Sequence, residues 1–387
     1  MIPVSFFIIN SLSAFSYFFR LFKFDYSLPL ELYCNIALFL IALIRTKFIK
    51  KNLFNYLFLL CLLVSLVSGF LNNSFSIYSI RTFYIFLMPI VMMNYGYQYY
   101  FQDKDTNKIE LKMKFWMKLL FISVIFQSII YVLLFSIGLI DRVGISLPLI
   151  IPITYLSIYQ SKGFIYLYPL VLISGKRVSV ICLLMLMIDQ FLRGDYINFR
   201  FISKRILYFI GLISILLITF SSKIFIYLGR WNVGLNLIDG FGNLLEINQA
   251  KLLFALDTFS AGRIEQVMAG IEAINNTFLG FLIGLGSGAK VIYVYSGEES
   301  WYVHNAFVSY GMQCGYVLAA LIFYFIFKII FKYRRKLKRN NSFAYLYVLI
   351  FIPSFFLSSN IFLNSFFWFF LGALNVDYRN QKLVNNN

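Results

Sequence analysis

Leu53-Phe-Asn-Tyr-Leu-Phe-Leu-Leu-Cys-Leu-Leu-Val-Ser-Leu-Val-Ser-Gly-Phe-Leu71 contains no charged residue and is bounded by Lys50-Lys51-Asn52 on one side and Asn72-Asn73 on the other. About 20 predominantly apolar residues suffice to carry a helix across a bilayer, and only a helix satisfies its own backbone there without a closed barrel. Blocks of this kind recur along the chain. Spans are predicted near 3–19, 28–44, 53–71, 77–97, 115–138, 145–160, 163–174, 177–192, 205–222, 303–331, 342–357 and 360–374. The fold class expected is therefore an all-α polytopic integral membrane protein of about twelve spans, with ten to twelve as the range.

Composition excludes the soluble alternative. The chain is 60% hydrophobic and 20% aromatic, with only 13% charged residues, about half of what a soluble domain carries. The formal charge of +18 would suggest nucleic acid if it lay on one soluble face. Instead the basic runs 45–51, 104–118, 193–205 and 332–339 fall on one side of the threading, as cytoplasmic loops do. Nucleic acid is not needed to explain the charge. Both termini are then expected in the cytoplasm. The opening 1–19 lacks a basic leader and a small-residue cleavage site, so a retained first span is expected rather than a signal peptide. Cys34, Cys61, Cys182 and Cys314 fall inside apolar blocks without ligand spacing and read as core residues, not disulfides or a metal site.

One long segment breaks the pattern. Residues 1–222 hold the first nine spans, 223–302 form a large outer loop, 303–375 hold the last three spans, and 376–387 form a cytoplasmic tail. Within the loop, Ile264, Val267, Met268, Ile271 and Ile274 recur at helical spacing. Asp257 or Ser260 is the expected N-cap, and Asn275-Asn276 with Gly280 the expected end. Arg263 opens that helix.

The same threading brings Arg81, Arg142, Lys176, Arg177, Arg230 and Arg263 to the outer side, where the positive-inside rule does not ask for them. One arginine at a helix end is ordinarily a snorkelling residue. A group of guanidinium forks suits a pyrophosphate, which they bind bidentately without losing charge. His304, the only histidine, opens the tenth span and has two readings. It is an interfacial residue beside Trp301 and Tyr302, or a general base, imidazole being the side chain whose unperturbed pKa lies closest to neutrality. Asn305, with Gly311 and Gly315 beyond it, would permit close packing around that site. Glu298-Glu299 reads as a solvated turn or as an orienting carboxylate for a sugar or imidazolium. Gly284-Leu-Gly-Ser-Gly288 has no following Lys-Ser/Thr, so neither a P-loop nor a dinucleotide fingerprint fits; the default reading is a flexible loop. Asp103-Lys-Asp105 reads as solvated charge.

The run Arg263-Ile-Glu-Gln-Val-Met-Ala-Gly-Ile-Glu-Ala-Ile-Asn-Asn-Thr-Phe-Leu-Gly280, followed by Gly284-Leu-Gly286, resembles the arginine-helix-Gly-x-Gly signature of the O-antigen polymerase and ligase superfamily. His304-Asn305-Ala-Phe307 resembles that superfamily's motif at the end of its large periplasmic loop. Ser174-Gly-Lys-Arg177 is similar to its turn between two short helices, with Gly-Lys inserted, which leaves Lys176 and Arg177 as alternatives for one anion site. The resemblance covers motifs between about 174 and 315.

It implies a GT-C-like membrane glycosyltransferase of the bacterial inner membrane, independent of metal and of any cofactor. Its substrate would be an undecaprenyl-pyrophosphate-linked oligosaccharide at the periplasmic face. Arg177 and Arg263, with Arg81, would hold the pyrophosphate; Arg142 and Arg230 are further candidates. His304 would orient or deprotonate the acceptor hydroxyl, supported by Asn305 and Glu299. Within the superfamily the Wzy-type O-antigen polymerase is favoured over the ligase, which would join finished glycan to lipid A–core, and over a capsule or exopolysaccharide polymerase. Membrane lipid, a chain-length regulator and a flippase are the expected partners. From a different class, a lipid-linked oligosaccharide flippase is also compatible with twelve spans; it would show repeats and midplane polar sites in interrupted helices.

Overall fold

The computed structural model describes residues 2–21, 30–46, 53–74, 76, 79–102, 106–136, 146–161, 163–164, 167, 177–192, 263–276, 278–292, 299–300, 303, 305–336, 343–357 and 364–384. These are mostly helical. Before the large loop stand α1 (Ile2–Leu21), α2 (Leu30–Arg45), α3 (Leu53–Leu71), α4 (Ser79–Gln102), α5 (Thr106–Ser136), α6 (Ser146–Tyr159) and α7 (Arg177–Leu192). Within the segment expected as that loop, 223–302, lie α8 (Arg263–Asn275) and α9 (Phe278–Ile283), and after it come α10 (Ala306–Cys314), α11 (Tyr316–Lys336), α12 (Phe343–Leu357) and α13 (Ser365–Val384). A two-residue antiparallel ladder joins β1 (Val291–Ile292) to β2 (Glu299–Ser300), pairing Val291 with Ser300.

Among the described residues three helical stretches are long and apolar enough to cross a membrane: Leu53–Leu71, Lys112–Tyr131 and Tyr316–Tyr333. Apart from Lys112, Lys118 and Lys328, their exposed residues are apolar or aromatic. On α5, Phe115, Ile122, Phe126, Ile129 and Leu133 are exposed along one stripe, at the spacing of a single helix face. A stripe of that size on a soluble protein is a liability; facing lipid it is neutral. The four cysteines are free thiols, three of them buried.

Several predicted boundaries move. The helix expected from 115 begins at Thr106, because its charged first turns continue the helix beyond the apolar block. The last helix runs on to Val384, into the segment expected as a tail, for the same reason. The single span expected over 303–331 is two helices, α10 and α11, interrupted at Gly315 (φ 83°). The predicted span 205–222 and all but three residues of 163–174 lie outside the described residues, as does Asp103-Lys-Asp105.

The tightest helix pair is α4 with α13. A Cβ on Gly96 would strike the Phe369 backbone, and one on Gly372 would strike Met93. Small residues let helix backbones approach where lipid offers no hydrophobic drive to associate. Around this contact the core is aromatic. Phe6 meets the rings of Phe343, Tyr347, Phe366 and Phe370 at centroid distances of 6.1, 5.5, 4.7 and 5.9 Å, all edge-on. Trp368 is fully buried against Phe54 and Phe58. Edge-to-face geometry adds about 0.5–1.5 kcal/mol per pair beyond area burial, which gives a Phe-rich core its directionality.

Buried polar groups pair between helices. Asn94 Nδ2 on α4 donates to Asn55 Oδ1 on α3 at 2.9 Å. Tyr345 on α12 donates its hydroxyl proton to Asp189 Oδ1 on α7 at 2.8 Å. The second pair joins the C-terminal end of α7 to the N-terminal end of α12.

Gly96→Leu should be costly, since overpacking a close contact costs about 1–3 kcal/mol. The expected result is a lower melting temperature in detergent by size-exclusion thermostability, with Gly163→Leu, whose Cβ faces only the Ser161 side chain, close to wild type. Equal stability of the two variants would contradict the α4–α13 packing.

Candidate functional site

The Gly284–Gly288 stretch is not a free loop. Gly284, Gly286 and Gly288 each adopt positive φ (77°, 87° and 84°), a conformation costly for residues with a Cβ. Gly284 ends α9, its amide donating to Gly280 O at 2.9 Å. The loop then lies in van der Waals contact with the end of α3: a Cβ on Gly286 would overlap the backbone of Gly69. The flexible reading fails because both sides of this contact are glycine, and the backbone of residues 284–287 is hydrogen-bonded to α3, α10 and the turn after α3.

Those bonds come from two helices. The break at Gly315 leaves Met312 O without its next intrahelical donor, as at any helix end. The amides of Leu285 and Gly286 supply that donor, at 2.7 and 3.1 Å. From α3, Ser65 O accepts from the Ser287 amide at 2.8 Å, and Ser68 Oγ donates to Gly284 O at 2.6 Å. Just beyond α3, Asn72 Nδ2 donates to Leu285 O (3.1 Å) and Ser74 Oγ to Ser287 O (3.0 Å).

Beneath the loop a buried side-chain chain links four segments. Ser287 Oγ donates to Thr82 Oγ1 (3.0 Å), and Thr82 Oγ1 donates to Gln313 Oε1 (3.1 Å). Ser65 Oγ donates to the same Gln313 oxygen at 3.3 Å. Loop, α3, α4 and α10 therefore converge on one amide. Arg81, half-buried in the first turn of α4, immediately precedes Thr82.

The helix opened by Arg263 docks on the same assembly. Gly270 of α8 meets the side chains of Val303 and Val308 where a Cβ would stand 2.8 Å from each. Ala269, Ile274, Val303, Val308 and Met312 form a small core of their own beside the main one. Val267, Gly270, Ile271 and Ile274 carry the contact, while Met268, expected on it, is exposed. The helix ends at Asn275, and Gly280 belongs to α9 instead. The expected caps Asp257 and Ser260 lie outside the described residues.

His304 also lies outside the described residues, but its neighbours are fixed. Ser309 Oγ donates to Val303 O at 2.8 Å and accepts from the Val303 amide at 3.2 Å. Asn305 Oδ1 accepts from the Val308 amide at 3.1 Å, capping α10. Asn305 thus has a structural task that the sequence reading did not assign. Glu299 is exposed on β2, its carboxylate 2.6 Å from Lys290 Nζ, while Val291 of β1 is buried in the small core beside α8.

Arg81 and the start of α8 thus belong to elements packed around the glycine loop. Arg177 opens α7, whose described contacts are with α12 and α6. Arg142, Lys176 and Arg230 lie outside the described residues. The sequence reading missed Ser65, Ser68, Thr82, Ser287 and Gln313. A signal existed for α3, where Ser65, Ser68 and Gly69 stand at helical spacing in an otherwise aliphatic turn. Among the described residues no cluster of three His, Cys, Asp or Glu that could hold a metal is found. Comparison with protein-family models, with curated proteins and with solved structures finds no match.

Gln313→Ala removes the acceptor shared by Ser65 and Thr82. Interhelical hydrogen bonds in membranes are worth about 0.6–2 kcal/mol each, so a loss of roughly 1–3 kcal/mol is expected in detergent unfolding. Wild-type stability of Gln313→Ala would contradict the network.

Proposed function

We propose that this protein is a metal-independent glycosyltransferase of the bacterial inner membrane that polymerises oligosaccharide units carried on undecaprenyl pyrophosphate, as an O-antigen polymerase does. The observation that carries the reading is the docked unit of α8, the glycine loop and α10. Two of the segments that resemble the polymerase and ligase signature, α8 with its glycine loop and the start of α10, pack on one another, and the loop's Ser287 reaches Thr82 beside Arg81 on α4. A loop with no role beyond connection has no need of three positive-φ glycines pressed against a helix.

In this reading the acceptor hydroxyl, on the non-reducing end of a new lipid-linked unit, attacks the anomeric carbon of the growing chain. The bond to the pyrophosphate oxygen breaks, and undecaprenyl pyrophosphate leaves with the electron pair. Arg263 and Arg81, with Arg177, stabilise the charge that develops on that leaving group, a large electrostatic term in group transfer. His304 takes the proton from the acceptor hydroxyl. The helix dipole of α8 adds to the field at Arg263, since an N-terminus favours anions. Periplasmic placement of the loop and cytoplasmic termini follow from the distribution of basic residues.

A flippase for the same lipid-linked units is the second reading. The interruption between α10 and α11 and the buried Gln313 amide are features that transporters place at substrate sites.

One reconstitution separates the two. Purified protein in proteoliposomes is given its lipid-linked repeat unit, and products are resolved as a glycan ladder. A polymerase extends the ladder and releases undecaprenyl pyrophosphate; a flippase moves the unit across the bilayer with no change in length. Arg263→Ala should abolish the ladder at unchanged protein level, and His304→Ala should slow it severely while donor binding persists. Wild-type lengths from Arg263→Ala would remove that arginine from the mechanism. In cells, loss of a polymerase leaves core bearing one repeat unit, whereas loss of a ligase leaves bare core.

A further inference from the structure

Six residues of the large loop carry a surface that a water-facing loop would not. In α9, Phe278-Leu-Gly-Phe-Leu-Ile283, every side chain other than the glycine is apolar, and Phe278 and Leu279 are 76% and 62% exposed. Phe281 and Leu282 are exposed as well. The helix buries Gly280 rather than an apolar face. It is therefore turned outward, with its small residue toward the protein.

Its position explains the inversion. The carbonyl of Leu282 lies against Gly315, where α10 gives way to α11, and Phe281 packs edge-on against Tyr316 at 5.5 Å. Ser68 of α3 holds Gly284 O, directly after α9. So α9 is wedged between the ends of α3 and α11, two helices long and apolar enough to cross a membrane. Both present exposed apolar residues at those ends: Val67, Phe70 and Leu71 on α3, and Val317 and Leu321 on α11. The outward side chains of α9 thus stand beside exposed apolar residues of both helices, with Asn72, Asn73, Asn275 and Asn276 as the exposed polar residues nearest in sequence.

We propose that α9 is inserted in the bilayer, its Phe278, Leu279, Phe281 and Leu282 side chains in contact with the acyl chains of the leaflet on the loop side. The occupant is lipid because the two helices that α9 touches are each long and apolar enough to cross a membrane and expose apolar residues at the ends it touches. Insertion also sets a depth. The Gly284–Gly288 loop and Arg81, fixed to the same helix ends, then lie at the headgroup boundary of that leaflet, so a ligand held there arrives in the plane of the membrane. This conclusion does not depend on the chemistry performed at the site.

The test replaces Phe278 with the photo-crosslinking amino acid p-benzoylphenylalanine by amber suppression, in the full-length protein in its native membrane. Glu272, exposed on α8, is the control position. After irradiation and purification, mass spectrometry should find phospholipid adducts at position 278 and several-fold fewer at 272. Phe278→Tyr checks that a mild polar change leaves the protein level unaltered, so a failure of folding is recognised separately. Adducts at 278 that join two copies of this chain, or join it to another protein, would replace lipid with that partner and overturn the proposal. Equal lipid labelling at 278 and 272, or none at either, would also overturn it.

Discussion

The interrupted helix at Gly315 is the constraint on which the site depends. Ending α10 there exposes the carbonyl of Met312 in a buried setting, and an unpaired backbone group in a nonpolar interior costs several kcal/mol. The chain meets that demand with the amides of Leu285 and Gly286, drawn from a segment almost thirty residues earlier. The loop can come that close only because residue 286 and its neighbour on α3, Gly69, lack side chains. One broken helix thus fixes the glycine loop, and the loop in turn fixes α9 through Gly284.

The polar chain from Ser287 through Thr82 to Gln313 belongs to the same logic. Each member is buried, and each bond crosses between elements. Such bonds are modest individually in membranes. Their value here is geometric, because they lock α3, α4 and α10 in one register at the end where Arg81 stands. The docking of α8 through Gly270 adds Arg263 to this rigid body by the same device, a glycine facing branched side chains.

Much of the helical pattern was legible before any coordinates, because a bilayer demands long apolar runs and the chain supplies them. The limits of α3 and α7 agree with the predicted 53–71 and 177–192. Charged extensions such as the first turns of α5 were not legible, since hydropathy marks the apolar block rather than the helix. The break at Gly315 was hidden for a related reason: Tyr310 to Phe323 is apolar throughout except for Gln313, and a continuous span and one interrupted at a glycine have the same composition. The glycine loop misled because glycines signal both freedom and close contact. Only the partner, Gly69, distinguishes the two, and it lies more than two hundred residues away. Asn305, read from the sequence for packing, proves to be a helix cap.

Hydrogen–deuterium exchange of the protein in lipid nanodiscs tests the docking of the loop most directly. If the amides of Leu285, Gly286 and Ser287 are bonded to Met312 O and Ser65 O, peptides spanning 284–288 exchange as slowly as those of α10. Complete exchange of that segment within seconds, while α10 stays protected, would mean the loop is free, and the assembly built on it would not stand.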